Sequence, residues 1–119
     1  MDRDVRSMFR LDGRVAIVTG GHAGLGRDMA RALAEYGCAV AITSRELARA
    51  EVAAAAVAGA FGVDAAGLQM EQKDSLSVRR MADAALAWKG RIDILINNAG
   101  GGSGLGECNF LRRDPENIR

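Results

Sequence analysis

Apolar residues along this chain fall into two alternating patterns. Short, almost continuous apolar runs are separated by longer stretches in which apolar positions recur every three or four residues. Val15-Ala16-Ile17-Val18-Thr19 is the first short run, and its unbroken apolarity predicts a strand buried on both faces. From Gly26 to Tyr36, Met29, Ala30, Leu33 and Ala34 recur at helical spacing, and Gly37 supplies a stop. Ala39 to Thr43 predicts a second strand. Glu46 to Ala60 is rich in alanine, the best helix former, with its charges in the first turns. Leu68 to Glu71 is the third and weakest strand signal. Asp74 or Ser75 then caps a helix whose one face carries Val78, Met81, Ala82, Ala85 and Leu86. Ile92 to Asn97 predicts a fourth strand. The order β-α-β-α-β-α-β implies a parallel sheet covered on both faces.

Composition narrows the class only by exclusion. The 119 residues are 49% hydrophobic and 26% charged, with a formal net charge of +1, which is ordinary for one globular domain. Such a balance carries no electrostatic footprint for nucleic acid or an anionic membrane surface. The longest uncharged stretch near the N-terminus, Val15 to Gly26, is glycine-rich and too short to span a bilayer. Met1 to Arg10 mixes Asp and Arg and lacks the apolar centre of a signal peptide. We therefore expect a cytoplasmic protein without nucleic-acid or membrane partners. Cys38 and Cys108 lie far apart in sequence and read as free thiols. With a single His and no ligand-spaced cluster, no metal site is expected.

Candidate chemistry sits between the first strand and the first long helix, at Thr19-Gly20-Gly21-His22-Ala23-Gly24-Leu25-Gly26. A strand, a glycine-rich turn and a helix start form a phosphate cradle: the chain turns sharply, and free N–H groups at the helix start face the anion. On the glycines alone, a plain structural turn and a site for S-adenosylmethionine stay open.

Two further segments narrow the choice. The spacing Gly-x-x-x-Gly-x-Gly after a Thr (Thr19, Gly20, Gly24, Gly26) is joined by Asn97-Asn98-Ala99-Gly100, which follows Ile92-Asp93-Ile94-Leu95-Ile96. Leu11 to Gly20 also has the form of an entry to a first strand. Together these motifs resemble the short-chain dehydrogenase/reductase family over nearly the whole chain. The resemblance implies a Rossmann-type, doubly wound three-layer α/β/α fold, with residues 1–119 as the N-terminal part of a single NAD(P)-binding domain. It further implies hydride transfer between a nicotinamide cofactor and a small-molecule carbonyl or alcohol substrate, in a protein that can form homo-oligomers. Gly20, Gly24 and Gly26 would line the diphosphate, with His22 and Leu25 in the same loop. Asn97 would hold the sheet together, and Asn98, Ala99 and Gly100 would lie by the cofactor, the last two beside its ribose. Glu71 stands near the family's usual Asp by the adenine.

An acid at the end of the second strand would bind the adenosine ribose and repel a 2′-phosphate. Here Ser44 stands in that place and Arg45, shaped to hold a phosphate, follows. We therefore expect NADP(H) to be preferred over NAD(H), although Glu46 is adjacent and Ala23 stands where NADP users often place a basic residue.

The family's Ser, its Tyr-x-x-x-Lys pair and its Asn have no counterparts here. Tyr36 is the one tyrosine, and Val40 stands four positions on. No catalytic residue is assigned. Asp114-Pro115-Glu116 has the form of a helix start just before Arg119, which reads as truncation. In the family's sheet order 3-2-1-4-5-6-7, a stop here leaves Ile92 to Asn97 as an apolar edge, so the 119 residues alone are expected to be marginal or insoluble. The readings that follow are an oxidoreductase parent, with this chain inactive by itself, or a non-catalytic dinucleotide-binding module or inert truncated fragment.

Overall fold

The computed structural model describes residues 5–98. Its elements are α1 (Val5–Met8), β1 (Val15–Val18), α2 (Gly24–Glu35), β2 (Ala39–Ser44), α3 (Leu47–Phe61), β3 (Ala65–Gln69), α4 (Ser75–Lys89) and β4 (Ile94–Ile96). The four strands form one sheet in the order β3-β2-β1-β4. Every pairing is parallel, with Ile17 beside Ala41 and Leu95, and Ile42 beside Gly67.

Strand periodicity divides the core between the two faces. Ala16, Val18, Val40 and Ile42 point to one side, where they meet Ala30 and Ala34 of α2 and Val57 of α3. Ile17 and Ala41 point to the other and meet Met81 and Ala85 of α4. This is the doubly wound arrangement. Strands β1 to β3 advance in one direction, so right-handed crossovers put α2 and α3 on the same face; the step from β3 back across β1 to β4 puts α4 on the opposite one.

The third strand differs from the sequence expectation. It runs over Ala65–Gln69 rather than 68–71. The reason is close packing by α3: a Cβ on Gly67 would lie 2.5 Å from the backbone carbonyl carbon of Ala50. Only small residues fit beneath that helix at Ala65 and Gly67, so this strand lacks the branched side chains that advertise one. Strand β4 is also shorter than the expected 92–97, covering Ile94–Ile96; before it the Asp93 carboxylate accepts the Val15 N–H at 2.9 Å, and after it Asn97 Oδ1 lies 3.3 Å from the Thr19 hydroxyl. The short α1 was not anticipated. Helix α4 starts where Asp74 accepts from the N–H groups of Leu76 and Ser77, and ends at Gly90 with φ +78°, as Asp-cap and glycine-stop chemistry dictate. Among the described residues no helix is long and apolar enough to cross a membrane.

Candidate functional site

All four strands are parallel, so their carboxyl ends share one edge of the sheet. The strand order reverses direction between β1 and β4, and the crevice outside such a reversal is where doubly wound sheets bind ligands. The glycine-rich loop and Asn97–Asn98 meet there.

Thr19 ties the two sides of the crevice together. Its N–H donates to the Ile96 carbonyl at 3.0 Å, and its hydroxyl accepts from the Asn98 N–H at 2.8 Å. The same hydroxyl lies 3.3 Å from Asn97 Oδ1 and 3.4 Å from the Ile96 carbonyl. Asn97 thus reaches the loop through a side-chain hydroxyl. From β2, the buried Thr43 Oγ1 accepts the Gly20 N–H at 3.3 Å. Asn98 Nδ2 donates to the Gly20 carbonyl at 3.4 Å.

The three motif glycines do different things. Gly20 has φ +65°, which makes the turn out of β1. At Gly26 an added Cβ would collide with Asn98 Nδ2 and sit 2.5 Å from the Gly20 carbonyl oxygen, so this glycine closes the helix onto the loop. Gly24 has φ +58°, and a Cβ there would meet nothing, leaving its backbone bare toward open space. The helix starts at Gly24, two residues earlier than periodicity suggested, after an extended Ala23 that provides no side-chain cap. The first-turn N–H groups of α2 therefore have no capping side chain, and intrahelical carbonyls cannot reach them. Leu25 stands beside them, 64% exposed. His22 is half-buried, and its Nδ1 is enclosed with no hydrogen-bond partner.

The remaining candidates lie at the ends of β2 and β3. Ser44 is buried, and its hydroxyl accepts the Glu46 N–H at 3.1 Å. Arg45 is exposed, its carbonyl accepting from Gln69 Nε2 at 3.4 Å. Glu71 lies two residues beyond β3, its N–H held by the buried Ser77 Oγ at 2.8 Å and its carboxylate accepting the Lys73 N–H. Ala99 and Gly100, Cys108 and the helix-start signal at Asp114–Glu116 fall outside the described residues. Tyr36 caps the C-terminal end of α2, its carbonyl accepting the Leu11 N–H at 2.7 Å, and lines a shallow groove with Phe9 and Leu11. Sequence reasoning gave no role to Thr43 or Ser77, and none to the hydroxyl of Thr19. For Thr19 and Thr43 the one signal was a hydroxyl residue closing, or just beyond, an apolar run; Ser77, in the first turn of α4, had none.

A doubly wound α/β sheet with a glycine-rich strand-to-helix turn at its reversal point defines a Rossmann-type protein. The family model described as short chain dehydrogenase matches residues 14–119, and the chain belongs to that family. D-threitol dehydrogenase of Mycolicibacterium smegmatis is 44% identical over 92 residues, which cover 77% of this chain and 35% of the relative. The NADPH-dependent 3-quinuclidinone reductase of Rhodotorula rubra superposes with a TM-score of 0.78 at 37% identity, covering 85% of this chain and 38% of its own. The Pseudomonas aeruginosa RhlG/NADP complex gives a TM-score of 0.72 at 36% identity, covering 77% of this chain and 36% of its own. The chain thus spans little more than a third of the length of these relatives.

Proposed function

We propose that this chain is the dinucleotide-binding part of an NAD(P)-dependent oxidoreductase. The carrying observation is the contrast within the loop: Gly26 is closed by packing while Gly24 is open and bare at an uncapped helix start. That is the geometry a pyrophosphate needs, since oxygen atoms must approach backbone N–H groups without a side chain between them. A nicotinamide held here would supply hydride chemistry at a carbonyl or alcohol carbon, the chemistry that the names of the relatives imply for them.

The residues of this chain hold and orient. Gly20, Gly24 and Gly26 shape the phosphate cradle, and Leu25 and His22 flank it. Asn98, fixed by Thr19 and Gly20, would carry the segment Ala99–Gly100 beside the ribose. Ser44, Arg45 and Glu71 would surround the adenosine end. NADP(H) is the preferred cofactor on this reading, supported by a serine in place of an acid at the end of β2 and by two structural neighbours, one an NADP complex and one an NADPH-dependent reductase. No acid–base residue is assigned within the chain.

Calorimetric titration of the purified protein with NADPH and NADH tests the reading. Gly24→Ala should cost about 1–2 kcal/mol of stability from its positive φ and weaken both dinucleotides at least about tenfold by blocking phosphate approach. A folded wild-type protein that binds neither dinucleotide, or a Gly24→Ala variant that binds as well as wild type, defeats it.

A further inference from the structure

Beside the glycine-rich loop, a groove of about 540 Å³ opens between α2 and α3. Its walls include His22 and Ala23 of the loop, Arg27 and Arg31 of α2, and Arg49 of α3. Arg45, the cation that sequence spacing singles out, does not line it.

These cations are held differently. Arg31 lies over the Phe61 ring at 5.2 Å, fixed between the two helices. Arg27 has no side-chain partner among the described residues. Arg49 Nε pairs with Glu46 Oε2 at 3.1 Å, with the two side chains 64% and 65% exposed. Glu46 is also the carboxylate nearest in sequence to the end of β2, where an acid would disfavour a 2′-phosphate.

We propose that Arg49, rather than Arg45, is the residue that recognises the nucleotide's 2′-phosphate, and that Glu46 competes with the phosphate for it. The inference rests on the dinucleotide-binding reading above. An exposed Arg–Glu pair one helical turn apart is weakly held and easily exchanged. A phosphate monoester offers close to two negative charges and a bidentate match to guanidinium. It also finds Arg27, across the groove on α2, within the same lining. Cofactor preference is then a contest for one guanidinium: Glu46 holds Arg49 when the ribose carries a hydroxyl, and the phosphate takes it when present.

Titration calorimetry of the purified protein with 2′,5′-ADP and 5′-ADP reads this without any turnover. Wild type should bind 2′,5′-ADP more tightly. Arg49→Gln should weaken 2′,5′-ADP about tenfold, one charge-assisted contact, and leave 5′-ADP unchanged. Glu46→Gln should move the other way, tightening 2′,5′-ADP by about threefold by releasing Arg49 and removing a like charge. Inorganic phosphate, as a third probe, should bind far more weakly than 2′,5′-ADP. If Arg45→Gln abolishes the preference and Arg49→Gln leaves it intact, the inference fails while the nucleotide site stands. It fails equally if inorganic phosphate alone is sensitive to Arg49→Gln. If wild type binds neither nucleotide, the reading of the site falls and this inference with it.

Discussion

The two ends of β1 are joined to β4 by different chemistry. At the amino end, Asp93 of the entry to β4 accepts the Val15 N–H at 2.9 Å while its own N–H donates to the Val15 carbonyl at 2.8 Å. The same carboxylate takes a two-pronged bond from Arg91, at 2.8 and 2.6 Å, and lies 3.6 Å from Arg14. At the carboxyl end no charge takes part in these ties: the Thr19 and Thr43 hydroxyls and the Asn98 amide hold the loop. A charged clamp at the carboxyl end would compete with an anionic ligand or with the backbone donors that meet it. Neutral hydroxyls position the loop and leave its N–H groups and the α2 dipole for the phosphate. The amino end has no such task and is fastened with ions.

The sharpest way to break the comparison is at Gly26. A methyl group there has nowhere to go, because it would meet a backbone oxygen and the Asn98 amide at once. Gly26→Ala should destabilise the protein by about 3 kcal/mol, at the upper end for overpacking, and abolish dinucleotide binding. Chemical denaturation and titration of the same sample measure both. A variant as stable as wild type would mean that the loop can shift, and that the closure of α2 onto Asn98 is loose.

Next in size is Thr19→Val, which keeps the shape and removes the hydroxyl. The Asn98 N–H loses its acceptor at 2.8 Å, and an unpaired, partly buried donor costs about 1–3 kcal/mol. Dinucleotide affinity should fall along with stability, since Asn98 is the residue that both the loop and the proposed ribose segment depend on. Lost stability with unchanged affinity would reassign Thr19 to the fold alone.

Much of this was legible in the sequence, and the exceptions have physical causes. The β1 run, a cap at Asp74 or Ser75 and the Gly37 stop can be read from local chemistry, and the parallel order follows from alternation. Strand β3 was misplaced because its residues were chosen by the helix above it: Gly67 answers to Ala50, a neighbour that no local pattern reveals. The motif glycines could be found by spacing, but their division into turn, open face and packing wedge depends on where Asn98 arrives from β4. The groove cations were invisible for the same reason. Arg27, Arg31 and Arg49 are ordinary helix-surface residues until α2 and α3 are set side by side.

The smallest effect at neutral pH, and the one that most sharpens the contrast between the two ends, comes from Asp93→Asn. Bonds from Arg91 and from the Val15 N–H hold the Asp93 carboxyl well below its ordinary 3.8, at about 2. A carboxylate whose pKa is depressed by folding stabilises the folded state above the unfolded pKa, and that contribution disappears as pH falls through the folded one. Wild type should therefore lose part of its stability between about pH 4 and pH 2, a window set by those two values. Asn keeps an oxygen for the Val15 N–H and loses the charge for Arg91 and Arg14. The variant should melt slightly lower at pH 7 and show a flatter dependence on pH across the acid window. Its affinity for dinucleotide should match wild type, because the change lies at the opposite end of β1 from the loop. Melting curves from pH 7 to pH 2 with a parallel titration decide it: an affinity that falls with Asp93→Asn would mean that the two ends of the strand are coupled, and that the division between an ionic fastening end and a neutral binding end is wrong.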